Sequence, residues 1–115
     1  MRGVFWVIDG RLFAVPFTDD VNIGVAKSRK NYDHRKVWEH VRPKGCSQAF
    51  DHYPRGRVEM NSRGEPIMYM SPHVPEELLP EIVNAFGLTK EPKVRFDHSR
   101  HYRFWGELDS ESLSR

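Results

Sequence analysis

Short β-rich runs and two stretches of helical spacing succeed one another along this chain. Residues 4–8 and 12–17 are two β-rich runs separated by Asp9-Gly10. Asp-Gly between such runs predicts a two-residue hairpin, because a type I′ turn needs positive φ at both central positions. Val4, Trp6 and Ile8 would face one way and Phe5 and Val7 the other. Both sets are apolar, so the first strand is expected inside the sheet or covered on both sides. A second hairpin follows the same logic. Val58 and Met60 alternate with Arg57, Glu59 and Asn61, residues 61–64 make a turn, and residues 67–70 return. Val94 and Phe96 alternate with Arg95 and Asp97 as a fifth strand, and Tyr102 and Phe104 suggest a sixth.

Two stretches carry helical spacing instead. Asp33 suits an N-cap for a short helix reaching about Val41, with Tyr32 and Val37 as a staple. Val37, Trp38 and Val41 form its apolar stripe, and Pro43 and Gly45 end it. Leu78, Leu79, Ile82, Val83 and Phe86 mark a second helix closed by Gly87. Pro80 is tolerated only in a first turn, which sets the start near Glu76 or Glu77. Residues 18–31 hold no sustained period and read as a charged loop. The order ββα–ββα–ββ predicts an α+β fold, an antiparallel sheet of five to six strands with both helices packed on one face. A single domain over residues 1–106 and a polar tail at 107–115 are expected.

Composition narrows this picture. The chain has 115 residues, enough for one core, and 38% apolar content with three Trp, four Tyr and seven Phe can fill it. The longest uncharged apolar run, Gly3–Ile8, is far too short for a membrane span, and no export signal is read at the start. One cysteine, Cys46, excludes an internal disulfide framework and suits a cytoplasmic protein. Net charge is +2, but residues 27–58 hold nine Lys or Arg against Asp33, Glu39 and Asp51. A basic middle favours a polyanion; the same side chains also serve as a solvated loop and helix face.

Residues 50–57, Phe-Asp-His-Tyr-Pro-Arg-Gly-Arg, concentrate the chemistry. Pro54 holds Tyr53 extended, and Gly56 permits a bulge or a close approach of another backbone. Arg55 and Arg57, two apart on an extended segment, share a face. Displayed outward, they would offer guanidinium forks to phosphate or carboxylate, with Phe50, His52 and Tyr53 able to stack. The competing reading is structural: Tyr53 in the core and the arginines paired with Asp51 or Glu59. A second group, Asp97-His98-Ser99-Arg100-His101-Tyr102, is a turn rich in His, Arg and Tyr. His98 or His101 with His52, and Arg55 or Arg57 as the cation, would make the base, acid and phosphorane clamp of a metal-independent ribonuclease. The bland reading is an exposed polar turn.

No metal and no cofactor are expected. His98 and His101 with Asp97 could ligate a divalent ion, but paired Cys, HExxH and a second carboxylate cluster are all missing. Cys46 with scattered His is not a triad, and there is no Gly-x-Ser-x-Gly elbow, Walker loop or dinucleotide fingerprint. Met68-Tyr69-Met70 reads as core strand. The Tyr-Pro-Arg-Gly-Arg-Val centre within residues 50–70, with the later Asp97-x-Ser99-x-His101-Tyr102, resembles a family of small uncharacterised bacterial proteins of similar length. That resemblance implies a compact bacterial accessory protein, chromosomal or borne on a mobile element, and carries no activity.

The leading expectation is a non-catalytic module binding an anionic partner, nucleic acid or an acidic protein surface. Its contact residues would be His52, Tyr53, Arg55 and Arg57, joined by His98, Arg100, His101 and Tyr102. The ribonuclease is the alternative. A homodimer with a regulatory or structural role, using Trp, Met and Tyr at its interface, is a third.

Overall fold

The strand Gly3–Ile8 (β1) is buried at Val4, Phe5, Trp6 and Val7, so it is covered on both faces. The computed structural model describes residues 1–17 and 34–96. In chain order β1 is followed by Arg11–Pro16 (β2), the helix His34–Val41 (α1), Arg55–Met60 (β3) and Pro66–Met70 (β4). A 3-10 turn at Glu76–Leu78 then leads into the helix Leu79–Ala85 (α2) and Lys93–Phe96 (β5). The five strands form one sheet in the order β2-β1-β3-β4-β5. The expected sixth strand at Tyr102 and Phe104, the Asp33 cap, the loop at 18–31 and the tail at 107–115 lie outside the described residues.

Local chemistry accounts for most boundaries. Asp9 and Gly10 both take positive φ, 52° and 77°, and Ile8 pairs with Arg11 across a two-residue turn. In the second hairpin the Asn61 side-chain oxygen accepts the backbone N–H groups of Arg63 and Glu65, both at 2.9 Å. Gly64 sits there at φ 75°. Pro80 occupies the first turn of α2, and Gly87 closes it at φ 61°, with Leu88 N–H donating to the Val83 carbonyl at 3.1 Å. This is the left-handed stop that frees the chain to turn back toward the sheet.

The sheet departs from the antiparallel expectation at one pair: β5 runs parallel to β4. The other three pairs are antiparallel. Parallel neighbours need a crossover, and α2 supplies it. The helices also lie on opposite faces, not on one. Ile82 and Phe86 of α2 join Phe5, Val7, Val58, Met68 and Met70. Val37 and Trp38 of α1 join Val4, Trp6 and Val15. The reason is handedness. Both β2-to-β3 and β4-to-β5 are crossovers between strands of like direction, and both move the same way across the sheet. The two strand pairs point in opposite directions, so right-handed crossovers put their helices on opposite sides.

Gly56 marks the tightest point of the α2-side core. It lies directly opposite Phe5. A Cβ there would collide with the Phe5 ring and come within 2.7 Å of the Tyr69 carbonyl oxygen. The close approach expected of another backbone is made here by the Tyr69 carbonyl, and a core ring, not foreseen, comes closer still. Gly56→Ala is expected to lower the unfolding free energy by about 1–3 kcal/mol, the usual cost of overpacking, read as a reduced urea midpoint. An unchanged midpoint would contradict this packing.

Candidate cationic surface

The side of the sheet under α1 carries all of the mid-sequence chemistry. The register sets this. Arg55 lies opposite Trp6 and Arg57 opposite Val4. Directly opposed residues of an antiparallel pair share a face, so both arginines point the same way as Trp6 and Val4. Both are inside: Arg55 is 0% exposed and Arg57 6%. The Arg55 guanidinium stacks over the Phe50 ring at 5.1 Å. The Arg35 guanidinium, from α1, lies over that same ring at 5.4 Å. Arg57 stacks over Tyr69 at 4.7 Å. Its Nη1 is 3.6 Å from Glu59, and Glu59 also takes a 2.6 Å contact from Arg2 Nε. The contacts of the buried Arg55 and Arg57 are desolvated and worth about 2 kcal/mol each, and that of the exposed Arg35 about 0.5–1 kcal/mol.

The loop from α1 to β3 is stapled to this core by two indoles. Trp6 Nε1 donates to the Phe50 carbonyl at 2.9 Å, and Trp38 Nε1 to the Ser47 carbonyl at 3.1 Å. The Tyr53 hydroxyl accepts the Ser47 N–H at 3.3 Å, and its ring lies 5.9 Å from Trp38. Tyr53 is thus half-buried and structural on one side. His52 is exposed and stands edge-on to Tyr53 at 4.7 Å. His98, Arg100, His101 and Tyr102 lie outside the described residues, so the structure brings together only four of the eight expected contact residues. Of those four, one imidazole and part of one phenol face outward.

What faces solvent around this loop is a different set of cations. Arg35, Lys36, His40, Arg42 and Lys44 are exposed, and Glu39 and Asp51 are the exposed acids of residues 35–54. Arg42 Nη1 donates to the Cys46 carbonyl at 2.9 Å, which ties the end of α1 to its loop. Farther along the same side of the sheet, no described residue of β4 or β5 belongs to the hydrophobic cluster around α1. Arg57, Tyr69 and Arg95 form one row there, and Glu59, Ile67 and Lys93 the next. Arg95 and Lys93 are exposed and Tyr69 is half-buried.

Sequence reasoning missed Tyr69, Lys93 and Arg95 as members of a site. The signal that could have found them is the alternation itself, which sets Tyr69 on the side opposite Met68 and Met70. Among the described residues, no three His, Cys, Asp or Glu side chains converge as metal ligands, and no helix is long and apolar enough to cross a membrane. No family model matches the chain, and no curated protein and no solved structure shows significant similarity to it.

Because the two arginines fill interior positions, Arg55→Ala is expected to act on stability. A loss of about 2 kcal/mol, the scale of one desolvated cation–π contact such as that with Phe50, should appear in chemical unfolding. A variant as stable as the parent would contradict the interior placement.

Proposed function

We propose that the protein is a non-catalytic binding module for an anionic partner, and that the outward side of α1 and its following loop makes the contact. The observation that carries this reading is the outward charge of residues 35–54. Arg35, Lys36, Arg42 and Lys44 are exposed beside His40 and His52, against Glu39 and Asp51. The loop that presents them is held by the Trp6, Trp38 and Tyr53 hydrogen bonds, so little ordering would be needed on binding. Arg55 supports this surface from beneath through Phe50, and neither Arg55 nor the buried Arg57 touches the partner. His52 and the outer edge of Tyr53 form its border. The compartment proposed is the cytoplasm, which suits the free thiol of Cys46.

The ribonuclease draws less support, since it takes Arg55 or Arg57 as its phosphorane cation and both are interior. The dimer draws less support too, since Trp6, Trp38, Met68 and Met70, residues of the types it would use at its interface, are buried.

A polyanion titration tests the reading. Single-stranded RNA and heparin should both bind at about 50 mM salt and weaken steeply toward about 200 mM. For the RNA, Arg42→Glu/Lys44→Glu should lower the slope of log affinity against log salt by about 1.4, which is about 0.7 for each phosphate that the variant no longer neutralises. Absence of binding to either polyanion at low salt, or a slope untouched by the double variant, would end the proposal.

A further inference from the structure

At its β4–β5 end the α1 side of the sheet joins a cleft. Ile67 and Lys93, from the outer row of that face, line a cleft of about 340 Å³ with Pro66 and Pro92 as apolar walls and Glu65 and Glu91 as acids. Its size falls at the lower end of small-ligand sites, enough for one planar ring system. Glu65 is held in place by a 3.0 Å hydrogen bond from the Asn61 side-chain amide. One row inward, Tyr69 carries Arg57 over its ring and is half-buried, and Arg95 stands beside it in register on β5. Exposed cations and a half-buried aromatic ring thus share one side of the β4–β5 pair, with an acid-rimmed cleft at its end.

We propose that this side of the β4–β5 pair, with its exposed Lys93 and Arg95, binds single-stranded nucleic acid, an inference that rests on the anionic-partner reading and names the partner. One base enters the cleft and a neighbouring base stacks at Tyr69, while Lys93 and Arg95 meet the connecting phosphates. Bases can reach such positions only when unpaired, which selects single strands over duplex. What favours a nucleic acid over an acidic protein surface is hydrogen bonding: Glu65 and Glu91 repel carboxylate and phosphate alike, but they accept hydrogen bonds from the exocyclic amino groups of bases. Cytosine and adenine carry such donors on their pairing edges and uracil does not. A preference for oligo(rC) over oligo(rU) follows.

Fluorescence anisotropy with labelled oligo(rC) and oligo(rU), alongside heparin as a polyanion without bases, tests this. Oligo(rC) should bind more tightly than oligo(rU). Tyr69→Leu should weaken oligo(rC) binding by about tenfold, within the range for removing one stacked base, and Tyr69→Phe should leave it unchanged. Lys93→Ala/Arg95→Ala, at exposed positions that do not threaten folding, should weaken it by a similar factor and flatten its salt dependence. Should Tyr69→Leu fail to fold, the double alanine variant carries the test. Oligo(rC) binding unaffected by Lys93→Ala/Arg95→Ala, yet abolished in Arg42→Glu/Lys44→Glu, would overturn this inference and leave the α1 surface standing. Equal affinity for oligo(rC) and oligo(rU) would overturn the base-in-cleft assignment. No binding of heparin or either oligonucleotide would remove both readings.

Discussion

One strand must be buried on both faces, and nearly everything else follows from that. β1 places Val4 and Trp6 on one side and Phe5 and Val7 on the other, none more than 4% exposed. Burying a large apolar side chain contributes about 1.5–3 kcal/mol, so these four residues together approach the whole net stability of a small domain. Such a strand cannot sit at an edge. It takes β2 on one side and β3 on the other, and it needs a helix over each face. The opposed crossovers through α1 and α2 meet that need.

The same strand dictates the chemistry of its neighbour. Phe5 lies across β3, so the residue opposite it must be glycine, and Gly56 is there. Its flanking residues, Arg55 and Arg57, then necessarily turn to the other face, beside Trp6 and Val4. That face is aromatic, and guanidinium groups are among the few charged groups that pack flat against rings. Phe50 and Tyr69 take that role, and Glu59 links Arg57 to Arg2. A cationic motif in sequence has become a layer of the interior. Cations that can meet a partner are displaced outward to α1 and its loop on one flank and to β5 on the other.

Much of the fold was legible because it rests on local chemistry. Asp9-Gly10 specifies its hairpin without help from elsewhere, and the spacing of Ile82 and Phe86 with Gly87 specifies α2 and its end. Features that depend on which strand lies beside which were not legible. The parallel β4–β5 pair and the split of the helices between two faces follow from sheet order, and no residue pattern along one chain encodes sheet order directly. The candidate site shows the same division. Alternation establishes that Arg55 and Arg57 share a face, but pairing with β1 decides that it is the inner one. Likewise, alternation separates Tyr69 from Met68 and Met70, while only the register with Arg57 and Arg95 makes it part of a cationic row.

The claim that organises this account is that the mid-sequence arginines belong to the core while others on the same side of the sheet face solvent. Arginine-selective labelling with a dicarbonyl reagent on the native protein, mapped by mass spectrometry, reads this directly. Arg42 and Arg95 should be modified rapidly, and Arg55 and Arg57 only when the chain is unfolded. Modification of Arg55 and Arg57 in the native state at the rate of Arg42 would contradict it.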